Sequence, residues 1–335
     1  MSLLWVPTML NPFSMLTQAF PPHPQFTEKD IADLTGRVCI VTGANTGVGK
    51  EVAQILYSKN ATVYATSRSE EKGRAAIASI KETIPDSKGK LELLTLDLAD
   101  LTTVKPAAKT FLAKETQLHL LINNAGVMMP PQGSQTAQGY ELQLGTNCIG
   151  PFLFTKLLTP TLVGTAKTAP KDSVRVVWVA SSATEVLSPT PAIEIDNLDY
   201  KRDRLKEVKY GISKAGNYFH STEFAKRHKA DGVISVALNP GNLKSDLDRH
   251  ITAFIPRFFR KTTTYPPIYG AYTELFAAVS PDVTIEKTGD WIAPWGRFYS
   301  IRSDLVESSK SREEGGTGLA EDFWKWTEQQ VENYL

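Results

Sequence analysis

Cysteine is nearly absent from this 335-residue chain: Cys39 and Cys148 are the only two. Both fall in apolar segments far apart in sequence, which excludes a disulfide framework and a thiolate metal centre and points to buried thiols in a reducing compartment, the cytoplasm. Surplus charge is lacking as well. Lys and Arg number 37 against 36 Asp and Glu, a formal charge of +1, so no global field recruits nucleic acid or an acidic surface. Long apolar runs are missing too. Residues 1–27 carry no Lys, Arg, Asp or Glu, yet Pro7, Asn11, Pro12, Ser14, Thr17, Gln18 and Pro21 interrupt them. A spanning helix needs about 20 unbroken apolar residues, and a signal peptide needs a basic start. The expectation is an apolar arm, residues 1–36, packed on the protein's own body. Membrane attachment through Leu3–Phe20 and Phe254–Arg260 is disfavoured, because the arm has no cation to meet lipid headgroups. There is no internal repeat, heptad run or low-complexity tract.

What is present is ordinary globular material, 41% hydrophobic and 22% charged. From Gly36 onward, short β-branched runs alternate with helical patterns. Val38–Thr42, Thr62–Ser67, Leu91–Leu96, Leu118–Asn123, Val174–Ala180 and Ile234–Leu238 read as buried strands. Lys50–Lys59, Lys72–Glu82, Thr102–Lys114, Leu142–Leu158 and Tyr210–His228 read as helices. Strand–helix alternation of this kind gives an α/β fold, a parallel doubly wound sheet with helices on both faces, and its ligands bind at the carboxyl ends of the strands. One Rossmann-type domain over residues 37–305 is the economical division. The Pro- and aromatic-rich stretch at about 250–300 is expected as an insertion over the site. Residues 306–335 form a linker and a terminal helix docked through Phe323, Trp324, Trp326 and Val331.

The first strand runs into Gly43-Ala44-Asn45-Thr46-Gly47-Val48-Gly49, a tight turn opening a helix. Glycines at 43, 47 and 49 let backbone approach a pyrophosphate, whose charge then sits on amides at the helix N-terminus. The spacing is G-x-x-x-G-x-G, so the surrounding βαβ unit carries the dinucleotide reading as much as the glycines do. At the end of the second strand no acid stands ready for the ribose hydroxyls of NAD. Arg68 follows instead, with Lys72 and Arg74 in the next turn. Guanidinium pairs well with a 2′-phosphate, which favours NADP(H); the alternative is a set of solvated charges beside Glu70 and Glu71. Asp97, followed by Leu98, ends the third strand and could accept from an adenine amino group or cap the next helix.

Tyr210 and Lys214 lie four apart on a long helix pattern, hence on one face. At about 4 Å and an effective dielectric near 20, the ammonium would favour tyrosinate by at most about 4 kcal/mol, enough to bring a phenol from about 10 toward neutrality. Alone, such a pair is common on helices. Ser181 and Ser182 end the fifth strand, Asn124-Ala125-Gly126 follow the fourth, and Asn147 sits in an otherwise apolar helix. Each has a structural alternative: the serines as a cap, the asparagines as turn residues, Asn147 as a kink. Their joint order is what argues for a site.

With Thr42-Gly43-x-x-x-Gly47-x-Gly49, Asn123-Asn124-Ala125-Gly126, Asn147, Ser182, Tyr210-x-x-x-Lys214 and Asn239-Pro240-Gly241 in place, the chain resembles a short-chain dehydrogenase/reductase over residues 37–247. The resemblance implies Tyr210 as acid/base, Ser182 steadying the substrate oxygen and Asn147 holding a water in a proton relay. Lys214 would bind the nicotinamide ribose and lower the Tyr210 pKa. It further implies that Asn124 lines the cofactor and that Leu243 and Ser245, after Pro240-Gly241, contact its nicotinamide end. Within the family the loop and Arg68 look most like retinol-dehydrogenase-type and fungal metabolite-modifying reductases, which favour NADP(H). Two features depart from the usual pattern. An inserted Thr184–Val208 separates Ser182 from Tyr210, leaving Ser181 as an alternative, and Ser245 stands where threonine is usual.

Met128, Met129, Pro130, Val186, Leu187, Phe254, Ile255, Phe258, Phe259, Tyr265, Trp291 and Trp295 are candidates for an apolar pocket wall, suited to a hydrophobic carbonyl or alcohol substrate. The competing function is a non-catalytic NADP(H) sensor or scaffold. A homodimer or homotetramer fits the resemblance.

Overall fold

The structure, a computed structural model, describes residues 12–244 and 264–335. All six expected strands form: β1 Val38–Val41, β2 Thr62–Ser67, β3 Lys90–Thr95, β4 Leu120–Asn123, β5 Arg175–Val179 and β6 Ile234–Leu238. β1, β4, β5 and β6 are buried at every position. That is why they read as unbroken apolar runs, as strands covered on both faces do. Two more, β7 Trp291–Ala293 and β8 Arg297–Phe298, extend the sheet to the order β3-β2-β1-β4-β5-β6-β7-β8. All neighbours are parallel except β7 with β8. The chain runs outward from β1 to β3 and then returns to β1's other side at β4. This reversal leaves a crevice at the carboxyl ends of β1 and β4, the place where doubly wound sheets bind ligands.

In chain order the helices are α1 Pro12–Ala19, α2 Gly47–Ser58, α3 Glu70–Thr83, α4 Leu101–Leu112, α5 Leu142–Leu144, α6 Gly150–Ala166, α7 Ala183–Val186, α8 Lys206–His228, α9 Pro267–Val279, α10 Ser303–Ser309 and α11 Leu319–Val331. One face of the sheet is covered by α2, α9 and the Ile80 side of α3, through Val52, Leu56, Ala271 and Leu275. The other carries α4, α6, α8 and α11, through Val104, Phe111, Phe152, Ile212, Phe219 and Phe323. No helix among the described residues is long and apolar enough to cross a membrane.

Residues 264–300, the described part of the expected insertion, hold α9 and the added strands and belong to this core. Buried Arg175 anchors them. It donates to the carbonyls of Asp172 (2.9 Å), Ala277 (3.1 Å) and Ser280 (2.9 Å), satisfying carbonyls at the buried C-terminus of α9 with a cation. The described part of the arm lies on the body. Phe26, Ile31 and Leu34 join the α2-side core. Buried Gln18 donates to Glu185 (2.8 Å) and accepts from Asn239 (2.9 Å), joining α1 to α7 and to the end of β6. Leu16 and Phe20 face solvent. The terminal helix α11 docks by Phe323, Trp324 and Val331. Cys39 and Cys148 are buried and free, and burial pushes the Cys39 thiol up to about 12.

Candidate active site

The glycine loop is locked by the strand ends beside it. Gly43 (φ +67°) and Gly47 (φ +57°) take left-handed backbone, which costs an L side chain about 1–2 kcal/mol. Thr66 Oγ1, from the end of β2, accepts the Gly43 N–H at 3.1 Å. From the end of β4, Asn124 Nδ2 donates to the Thr42 carbonyl at 2.7 Å, and Ala125 N–H donates to Thr42 Oγ1 at 2.9 Å. Gly49 is needed for space: a Cβ there would lie 2.4 Å from Asn124 Nδ2 and 2.6 Å from the Gly43 carbonyl oxygen. The result is a rigid turn that opens the N-terminus of α2 into a cavity of about 870 Å³.

That cavity brings together nearly all the residues singled out by sequence. Gly43, Asn45, Thr46, Gly47, Val48 and Gly49 line it with Arg68, Lys72, Asp97, Leu98, Asn124, Ala125 and Gly126. Ser181, Ser182, Tyr210, Lys214, Pro240, Gly241 and Leu243 close the other end. Ser245, Phe254, Ile255, Phe258 and Phe259 lie outside the described residues. Arg74 is elsewhere, paired with Glu70 at 2.6 Å one helical turn away. Arg68 and Lys72 have no ion pair among the described residues. The capping alternative for Asp97 falls to Asp100, whose Oδ1 accepts the Thr102 N–H at the start of α4. Asp97 instead takes the Ala99 N–H at 2.9 Å and faces the cavity.

At the other end, Lys214 is held through Nζ, which donates to the Val179 carbonyl at 2.8 Å. The ammonium sits 5.8 Å from the centroid of the Tyr210 ring. Ser181 and Ser182 differ in their hydrogen bonding. Ser181 Oγ accepts the Ala183 N–H at 3.2 Å, a capping bond, whereas Ser182 makes none. Asn147 lies in a π-turn, Gly145–Ile149, a distortion common at functional sites. Its amide is engaged by protein: Oδ1 accepts from Val127 N–H (2.8 Å), and Nδ2 donates to the Val127 carbonyl and Ser213 Oγ (3.0 Å each). The side chain therefore ties the β4 loop to α8. Gly126 fits between, where a Cβ would be 3.1 Å from Asn147 Oδ1 and 3.4 Å from Lys214 Nζ.

A sequence profile of short chain dehydrogenases matches residues 37–193, from β1 to the segment after the serine pair. The chain is 54% identical over 322 residues to a short-chain dehydrogenase/reductase of Phomopsis amygdali, covering 95% of this chain and 96% of that one. The chain belongs to the short-chain dehydrogenase/reductase family. A second member, from Neocamarosporium betae, is 48% identical, with 96% and 94% covered. Among solved structures, an uncharacterised protein of Mycobacterium paratuberculosis superposes with a TM-score of 0.66 at 27% identity, covering 92% of this chain and 97% of its own. As a short-chain dehydrogenase/reductase the protein is an oxidoreductase of a family that binds nicotinamide cofactors.

Within this dehydrogenase/reductase the apolar wall differs in part from the sequence expectation. Met128, Met129, Pro130, Val186 and Leu187 line the cavity. Trp291 is core, edge-on to Tyr218. Trp295 packs beneath Gly241, whose absent Cβ would meet its ring at 2.8 Å, and Tyr265 stands edge-on to Trp295. Among the lining residues that sequence reasoning did not single out is Glu274 of α9. It is fully buried, and neither carboxyl oxygen has a hydrogen-bond partner among the described residues. The available signal was a single charged residue in the otherwise apolar segment Pro267–Val279.

Burial pushes the Glu274 carboxyl up to about 8, opposed by the Lys214 charge. It pulls the Lys214 ammonium down to about 8. Between about 4.5 and 8 the folded chain thus holds a proton on Glu274 that the unfolded chain releases. The stability this contributes is complete below about 4.5 and is lost as pH rises to 8. Lys214 acts later and oppositely, regaining stability as pH rises from about 8 to 10.5. Thermal melts of the cofactor-free protein at successive pH values are expected to show a fall from pH 5 to 8 that flattens in Glu274→Gln. Parallel curves for the two proteins would refute the assignment.

Proposed function

We propose that the protein is an NADP(H)-dependent reductase or dehydrogenase acting on the carbonyl or alcohol of a small hydrophobic metabolite, in keeping with the fungal metabolite-modifying reductases its motifs resemble. The observation that carries this is the meeting of Tyr210, Lys214 and Ser182 at one end of the cavity whose other end is the glycine loop and Arg68. The cofactor supplies or accepts the hydride at its nicotinamide ring. Tyr210 gives or takes the proton on the substrate oxygen, with the neighbouring Lys214 charge favouring the phenolate. Ser182, free of the capping duty that Ser181 performs, steadies that oxygen by a hydrogen bond. Gly43, Gly47 and Gly49 admit the pyrophosphate to the α2 N-terminus. Met128, Met129, Val186 and Leu187 exclude water and favour an apolar substrate. Consumption of NADPH with a panel of lipophilic aldehydes and ketones, and of NADP⁺ with the matching alcohols, tests the reading. Inertness of the pure protein across both panels, with cofactor bound, would favour a sensor.

Arg68 and Lys72 support the choice of NADP(H), since both face the cavity and neither is neutralised by an ion pair among the described residues. A charge-assisted bond to phosphate contributes about 1.5–3 kcal/mol. Arg68→Ala is therefore expected to weaken NADPH binding by about tenfold or more while leaving NADH binding nearly unchanged, read by fluorescence titration. An equal loss for both dinucleotides would remove Arg68 from the 2′-phosphate.

A further inference from the structure

Glu274 enters the cavity from the side opposite the catalytic helix. It stands on α9, which packs with α2 on one face of the sheet, whereas Tyr210 and Lys214 come from α8 on the other. One turn before it, Gly270 lies so near the Pro240–Leu243 turn that a Cβ there would be 2.2 Å from Leu243 Cδ1. Glu274 lines the same cavity as Lys214, Tyr210 and Gly241. It has no solvent exposure, and neither oxygen has a partner among the described residues. A buried carboxyl in that condition is costly unless something else satisfies it.

The lining of the cavity indicates what that is. A dinucleotide with its 2′-phosphate at Arg68 and its pyrophosphate on the glycine loop ends at the Tyr210–Lys214–Glu274 end. The polar substituent of its terminal ring is a primary carboxamide, which has one acceptor and two donor hydrogens. A carboxyl is the complementary group: as a neutral acid it donates once and accepts once, and as a carboxylate it accepts twice. Burial favours the acid form, opposed among the described residues by the Lys214 ammonium. The apolar substrate wall, Met128–Pro130 with Val186 and Leu187, comes from the loops after β4 and β5.

Resting on the nicotinamide reading above, we propose that Glu274 is a positioning residue that pairs with the cofactor's carboxamide and so holds the nicotinamide end in place. The pair forms only with an intact nicotinamide end. A cofactor fragment ending at the ribose gains nothing from it.

The test is equilibrium binding. NADPH and the nicotinamide-free fragment 2′-phospho-ADP-ribose are titrated into wild type, Glu274→Leu and Glu274→Gln. Glu274→Leu is expected to weaken NADPH by about tenfold, which is about 1.4 kcal/mol, and to leave the fragment within about twofold. Glu274→Gln, which keeps a donor and an acceptor, should stay within about threefold for both. Unchanged NADPH affinity in Glu274→Leu, or an equal loss of NADPH and fragment, overturns the proposal. Should Glu274→Leu not fold, wild type decides with the 3-acetylpyridine analogue of NADP⁺, which lacks the amide hydrogens. Weaker binding than NADP⁺ by about fivefold in wild type, with the gap retained in Glu274→Gln, supports the pair; equal affinity overturns it. If wild type binds neither NADPH nor the fragment, the cofactor reading falls and this one with it, a result distinct from either.

Discussion

Tyr210→Phe is expected to lower turnover by about 10²–10⁴-fold, the usual contribution of a positioned general acid or base. Its NADPH affinity is expected to stay within about threefold of wild type. The substitution removes one oxygen and keeps the ring. The ring is mostly buried, at 6% exposure, and carries the Lys214 ammonium 5.8 Å from its centroid. Packing is therefore preserved and the lost hydroxyl is isolated as the variable. Lys214 itself is unaffected in position, because its anchor is the Val179 carbonyl. The measurement is single-turnover NADPH oxidation with an accepted carbonyl, beside a fluorescence titration of the same sample. Wild-type turnover in the variant would move the proton transfer elsewhere and remove Tyr210 as the acid/base. A matched loss of cofactor affinity would make Tyr210 a binding residue instead.

The parts of this molecule legible in sequence were those with a local physical cause. Val38–Val41 and Ile234–Leu238 read as strands because a strand covered on both faces must be apolar throughout. The glycine loop was legible because positive φ and close backbone approach leave few residues to choose from. Other features depend on contacts made at long range. β7 and β8 are three and two residues long, too short for any period. In α9, apolar residues surround the helix, so nothing marks a face. Buried helices read that way. Trp291 and Trp295 show the same limit: aromatic composition does not say whether a ring lines a cavity or fills the core. Charges are no easier. Arg68 and Arg74 are six residues apart at the same helix start, and only the Glu70 pair in the structure separates a cavity residue from a solvated one.

Gly49→Ala sets two effects of opposite sign against each other. Gly49 lies in the first turn of α2, where exchanging glycine for alanine in a helix gains up to about 1 kcal/mol in propensity. Against this, the methyl would stand 2.4 Å from Asn124 Nδ2 and 2.6 Å from the Gly43 carbonyl oxygen. Asn124 can swing aside only by giving up its 2.7 Å bond to the Thr42 carbonyl. Gly43 is backbone, fixed at its own N–H by Thr66. Forcing a methyl into packed surroundings costs about 1–3 kcal/mol, and the lost bond adds about 1 kcal/mol. The clash therefore wins, and the variant is expected to melt several degrees lower and to bind NADPH at least about tenfold more weakly, since it displaces the loop whose amides are proposed to receive the pyrophosphate. Gly47→Ala is the control, because nothing lies within 4 Å of its Cβ position and only the positive φ opposes it. Its melting point is expected to fall too, by the smaller cost of a left-handed alanine, about 1–2 kcal/mol, while the Asn124 contact survives. A Gly49→Ala protein more stable than wild type and unchanged in NADPH affinity would mean that the loop yields, and that rigidity at the ends of β1, β2 and β4 does not shape the cofactor cleft.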